Sequence, residues 1–194
     1  MKHSGLDEFL RATPVIDYDN PAVAEKAREL AAGCDGDVEV ARNCYTFVRD
    51  KIRHSWDYQA NPVTLSASQV LEHTTGYCFA KSHLLAALLR ANGIPAGLCY
   101  QRLANHGTVG PAFYLHGLNA VWLDKYGWYR ADARGNREDV HAEFSPPEEC
   151  LAFVPKAPGE EDLTGIFSDP LPVVVDVLTK YTDYLEVRKN LPDV

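Results

Sequence analysis

The stretch from Cys78 to Ala91 (CFAKSHLLAALLRA) constrains this chain more than any other. Its Leu84, Leu85, Ala87, Leu88 and Leu89 spread round a helix of about 3.6 residues per turn and leave little polar face. A helix that is apolar on all sides must be surrounded by other elements, so this one is predicted to run through the centre of the fold. Gly76 provides the turn into it, and Asn92-Gly93 with Pro95 end it. With 194 residues the chain can enclose such a helix in a full core without disulfide staples, and we read 1–194 as one domain.

The elements around this helix follow from local signals. Asn20 as N-cap, Pro21 at the first helical position and Gly33 as the stop outline a first helix. Asp37 is read as the cap of a second, with Val40, Cys44, Phe47, Val48 and Ile52 at helical spacing. HSWDYQANPVTL then reads as a loop, and Ser66 with Gln69 forms a capping box before a short helix that ends near His73. After Pro95 the periodicity changes. Segments 97–103, 115–123 and 127–133 read as strands, the last two joined in a hairpin by DKYG. Residues 137–172 are Pro-rich and loop-like, and a last helix is expected over about Val173 to Tyr184. Helices first and an antiparallel sheet afterwards predict an α+β fold.

Composition narrows the function classes. The net charge is −8 and no basic cluster occurs, which argues against nucleic acid as a partner. No apolar run is long enough to span a bilayer, and the start shows no signal-peptide core, so no membrane association is expected. The five cysteines are an odd set without CxxC spacing, which fits a reduced, cytoplasmic protein better than a disulfide framework.

One cysteine has a chemical setting. Cys78 opens the central helix, where unpaired N–H groups and the helix dipole favour an anion such as a thiolate. Its own N–H can also help bind an oxyanion. His116 opens one strand of the hairpin and Asp132 ends the next. The two oppose each other if Trp122 opposes Tyr126, and the carboxylate then fixes the imidazole tautomer while the other ring nitrogen faces the helix of Cys78. Nucleophile, base and orienting acid thus occur in the order Cys, His, Asp. Side-chain candidates for the oxyanion or for substrate contact are Trp56, Tyr58, Gln69, Tyr77 and Asn136, left unranked. The equal spacing of His73, Cys78 and His83 does not match a zinc pattern, so neither a metal nor another cofactor is expected.

GYCFAKSHLLAALLRANGIPAG and LHGLNAVWLDKYGWYRADARGN together resemble the transglutaminase-like superfamily, with its papain-like core. The shared pattern is a G-x-C turn, a helix ending in L-R-x-x-G-I-P, a strand H-x-x-x-x-x-x-L, and G-W-x-x-x-D. The resemblance covers about 37–136 and leaves 137–194 as a C-terminal extension. It implies a nucleophile helix packed on an antiparallel sheet, with Cys78 as nucleophile, His116 as base and Asp132 as orienting acid. Two departures stand out: the family's H-A-W is His116-Gly117-Leu118 here, and its D-P-T is Asp132-Ala133-Arg134. The calcium dependence of animal transglutaminases does not carry over, since no D-x-D-x-D-G loop occurs.

The expected activity is cysteine-dependent acyl transfer on a peptide, protein or small amide, with hydrolysis through a thioester as the first reading. The alternatives are protein-glutamine transamidation and a catalytically silent peptide-binding module. The extension is open to two readings, a cover that sets specificity and a surface wrap over part of the sheet.

Overall fold

The computed structural model describes residues 5–194. A 3-10 turn at Asp7–Leu10 leads to helix α1 (Pro21–Ala31), capped by the Asn20 side chain on the Ala22 N–H, and then to α2 (Asp37–Lys51). Gly36, not Asp37, is the N-cap of α2, and Asp37 is its first helical residue. The Asp37 carboxylate instead accepts from the N–H groups of Val38 and Asp124. A two-residue strand β1 (Arg53–His54) follows. The segment read as a loop then makes one helical turn, α3 (Ser55–Tyr58), closed by Gln59 in the left-handed region. Helix α4 (Ala67–His73) starts on the Ser66–Gln69 capping box. Strand β2 (Thr75–Gly76) pairs in parallel with β1, which sets His54 beside Gly76.

Helix α5 (Cys78–Ala91) is the centre of the molecule, and every residue from Cys78 to Arg90 is buried. Its polar side chains are tied to carbonyls: Arg90 donates to those of Ala96, Arg11 and Ser168, and Lys81 to those of Arg49 and Ile52. Around it pack α1, α2 and α4 on one side and the sheet on the other. The sheet has the order β5-β4-β3-β8, with β3 (Ala96–Ala104), β4 (Phe113–Leu123) and β5 (Gly127–Ala131) antiparallel and β8 (Glu161–Asp162) at the edge of β3.

The β4–β5 register differs from the sequence expectation. Trp122 pairs with Trp128 and Leu123 with Gly127, so His116 and Asp132 are not directly opposed. The loop Asp124–Tyr126 has three residues and closes on Gly127 at φ 73°, a left-handed position that suits glycine. The displacement is two residues, so the alternation of faces is kept and the two side chains become diagonal neighbours.

The extension is more structured than its Pro-rich composition suggested. A small hairpin forms from β6 (Glu143–Ser145) and β7 (Glu148–Cys150), and β8 adds an edge to the main sheet. The expected last helix ends early, as α6 (Pro172–Lys180), and a second helix, α7 (Tyr184–Lys189), follows past the expected range. The Asp183 side chain caps the Leu185 N–H and starts the second afresh.

Candidate active site

Alternation along β4 decides which groups can meet. Leu115, Gly117, Asn119 and Val121 face α5: a Cβ on Gly117 would stand 2.8 Å from the Phe79 ring and 3.2 Å from its Cα, and the Asn119 amide donates to the Ser82 carbonyl at 2.9 Å. His116 and Leu118 therefore project to the opposite face, where Leu118 packs with Leu151 and Ile166 and His116 meets Phe153, all from the extension. Contact with Cys78 occurs only at the helix tip. Because residue 117 has no side chain, the first turn of α5 lies against the strand, and the Gly117 N–H donates to the Cys78 sulfur at 3.5 Å.

Three groups converge there. His116 Nε2 lies 2.7 Å from Asp132 Oδ2, which leaves Nδ1 as the ring nitrogen open to Cys78, whose side chain is near enough to act on the imidazole. His116 is 1% exposed, Asp132 0% and Cys78 6%, so the interaction takes place largely out of water. Asp132 also accepts from the N–H groups of Arg134 at 3.1 Å and Ala152 at 3.2 Å. Burial opposes charge on both partners of the His116–Asp132 pair. It is outweighed by the charge of Asp132 and of Cys78 on His116, whose pKa is raised, and by the charge and hydrogen bonds of His116 on Asp132, whose pKa is lowered. Phe153, from the extension, roofs the pair, its ring edge-on to the imidazole at 5.0 Å, and the Arg134 guanidinium lies over the Phe153 ring at 5.7 Å from its centroid.

Cys78 and His116 open onto a cavity of about 460 Å³. Of the side chains singled out from the sequence, Trp56 and Tyr77 line it, and the Tyr77 hydroxyl is engaged by the Tyr184 carbonyl at 2.6 Å. The other three do not line it. Tyr58 is 65% exposed under Arg53, Gln69 serves the cap of α4, and Asn136 bridges the backbone of Ala142. His73 is exposed, and His83 is buried on the Leu65 carbonyl with its pKa lowered by burial to about 4.

The sequence reading missed His54, Phe153 and Arg188 on the cavity wall. His54 is buried, its Nδ1 makes no hydrogen bond and lies 3.7 Å from Asp57 Oδ2, and burial together with nearby Arg134 and Lys81 lowers its pKa well below the usual histidine value. It is brought in by the β1–β2 pairing, a long-range contact with no local signal. Phe153 and Arg188 lie in the extension, where neither periodicity nor motif distinguishes them.

Comparison with known proteins places the core. The profile of the transglutaminase-like superfamily matches residues 24–133. The chain belongs to this superfamily. Among solved structures, a proposed cysteine protease from Cytophaga hutchinsonii is similar at a TM-score of 0.54 and 18% identity, over 67% of this chain and 42% of that one. The periplasmic domain of TgpA from Pseudomonas aeruginosa follows at 0.47 and 20% identity, over 64% and 45%. The chain thus spans less than half the length of these structures. None of the curated proteins compared matches it. The shared fold is the mixed α and β, papain-like arrangement of a nucleophile helix on a curled antiparallel sheet, and membership supports a cysteine-dependent enzyme in general.

Proposed function

We propose that this protein is a cysteine hydrolase that transfers the acyl group of an amide or peptide bond to water through a thioester on Cys78. The observation that carries the reading is an imidazole bound by a buried carboxylate at 2.7 Å that shares the wall of one cavity with the Cys78 sulfur, which acts on it electrostatically. In the first half-reaction the sulfur attacks the carbonyl carbon as a thiolate, its proton having passed to His116. The C–N bond then breaks, and His116 returns that proton to the leaving amine. In the second, His116 takes a proton from water, hydroxide attacks the thioester, and the acid leaves with the thiol restored. Asp132 keeps the ring oriented throughout and stabilises its charged form. For the oxyanion, the proposed donors are the Cys78 N–H, since the first N–H groups of a helix lack intrahelical partners, and the Trp56 indole on the cavity wall.

Site-selective alkylation tests the nucleophile. All five thiols are free; burial pushes Cys44 and Cys99 up to about 12, while Cys34 and Cys150 are half-buried. Iodoacetamide is expected to label Cys78 far faster than Cys34 and Cys150 despite its low exposure. Equal rates at all accessible thiols would remove the activated nucleophile. Mass spectrometry of an amide panel with and without an added primary amine then separates hydrolysis from transamidation, the second giving amine-adducted products. The unpaired cysteines are also the support for a reducing, cytoplasmic setting.

A further inference from the structure

The chain carries a net charge of −8, yet the cavity wall holds three arginines, Arg134, Arg137 and Arg188, against one acid, Asp139. Two of the three are already neutralised. Arg134 forms a two-pronged pair with Asp57 at 2.7 and 2.9 Å, and Arg137 bridges Asp57 and Asp139. Arg188 differs from both. Among the described residues no carboxylate pairs with it: one terminal nitrogen donates to the Asn105 side-chain oxygen at 2.7 Å, and its Nε is buried without a partner. Its guanidinium lies over the rings of both Trp56 and Tyr114, at 5.1 and 5.2 Å from their centroids. Aromatic faces and a neutral amide hold a cation in place without cancelling its charge.

The seat of this arginine is rigid. Helix α7 is capped by Asp183, tied to the nucleophile turn through Tyr77 on the Tyr184 carbonyl, and anchored by buried Val187 and Leu191. The loop after β3 closes on it so tightly that a Cβ on Gly110 would stand 2.6 Å from the Arg188 carbonyl. A fixed, unneutralised guanidinium suits one ligand chemistry above others, the planar carboxylate, which it meets with two parallel hydrogen bonds. The cavity it shares with Cys78 has the size of a small-ligand pocket.

We propose that Arg188 binds a carboxylate of the substrate, so that the amides processed here carry an acidic group close to the scissile bond. This rests on the reading of the cavity as the acyl-transfer site. The carboxylate can come from an acidic side chain or from a chain terminus, and the two sources are separable by experiment.

The test uses the full chain with Cys78→Ala, which prevents turnover, and calorimetric titration with matched peptides. Acetyl-Ala-Glu-Ala-amide is set against acetyl-Ala-Gln-Ala-amide, and acetyl-trialanine as free acid against its amide. At least one acid is expected to bind about tenfold tighter than its neutral partner, the range of a charge-assisted hydrogen bond. The pair showing the preference identifies the source. Arg188→Gln should abolish the preference, and Arg188→Lys should retain part of it, with thermal melts confirming that both variants fold. Equal binding of acids and neutral partners, or a preference that survives Arg188→Gln, would overturn the proposal. Parallel assays of the wild type on the same peptides keep the two claims apart. An Arg188-dependent preference without any Cys78-dependent cleavage would preserve the carboxylate site and refute acyl transfer. Cleavage without a preference would do the reverse.

Discussion

The superfamily core, residues 24–133, and the extension, 137–194, build the same cavity in different ways. The core supplies the sulfur, the imidazole and the carboxylate, each fixed by a regular element: the tip of α5, the strand β4, and the end of β5. The extension supplies no member of that set. It contributes the Ala152 N–H on Asp132, the Phe153 ring on His116 and the Arg188 cation on the far wall. It is held by Phe144, Val174, Val177, Leu178, Val187 and Leu191, which are buried in the main core, and by polar contacts to the sheet, with Arg130 pairing Glu149 and Asp162, and Gln101 donating to Asp162 and to the Phe153 carbonyl. The difference teaches that the groups proposed to react sit on long buried elements, while those proposed to shield and select sit on a strap of short elements and loops. Chemistry is therefore expected to be sensitive to small shifts in the core, and recognition to substitutions in the strap.

The largest expected effect lies in the core. Asp132→Asn should lower turnover of an amide substrate by about 10³-fold, within the range of general acid–base catalysis. It removes the charge that raises the His116 pKa, so His116 should lose its proton at lower pH in the variant, as followed by NMR of the ring. In the wild type that raised value adds stability below the ordinary histidine pKa, and the contribution is lost as pH rises through the raised one. A variant with unchanged turnover would place the carboxylate outside the reaction.

Gly117→Ala comes next. The added methyl meets the Phe79 ring and backbone, so the tip of α5 must move by a few tenths of an ångström from the strand. A drop of about tenfold in turnover and in Cys78 alkylation is expected, with the fold retained. Unchanged alkylation would show that the close approach is not what positions the sulfur. Phe153→Ala is the counterpart in the strap. Freeing one edge of the imidazole should reduce turnover by several-fold, less than either core change. An effect as large as that of Asp132→Asn would erase the division drawn above.

Lys81→Met should leave catalysis nearly unchanged and alter only stability. Burial pushes Lys81 down to about 7, so between there and its ordinary value of 10.5 the unfolded chain holds the extra proton. Measured against the variant, the wild type should thus gain up to about 1.4 kcal/mol of stability per pH unit across this window, on top of the loss that His116 imposes on both proteins. Denaturant titrations at pH 7 and 9 check it. Parallel behaviour of the two proteins would mean that the ammonium is not desolvated.

Much of the core was legible because its signals are local. Asn20-Pro21, the Ser66–Gln69 box and the apolar sweep of Cys78–Ala91 each specify their own element, and the structure has α1, α4 and α5 where they were read. The α+β class and the family motifs followed from the same residues. The register of β4 on β5 was not legible, since three-residue loops starting one position apart fit the same segment and only the left-handed Gly127 selects between them. The strap was least legible. Its strands are two or three residues long, too short for alternation to show, and its helix break depends on one capping aspartate. Cavity-wall residues such as His54 and Arg188 acquire meaning only from distant partners, Gly76 in one case and Trp56 with Tyr114 in the other.

The most direct test of the account is to trap the acyl group itself. Brief reaction of the protein with p-nitrophenyl acetate, acid quench and peptide mass mapping should find about one acetyl per chain, on Cys78. The accompanying burst of nitrophenolate should vanish in Cys78→Ala and slow markedly in His116→Ala. Acetyl spread over lysines and the other four cysteines, or a burst that persists without the Cys78 sulfur, would contradict it.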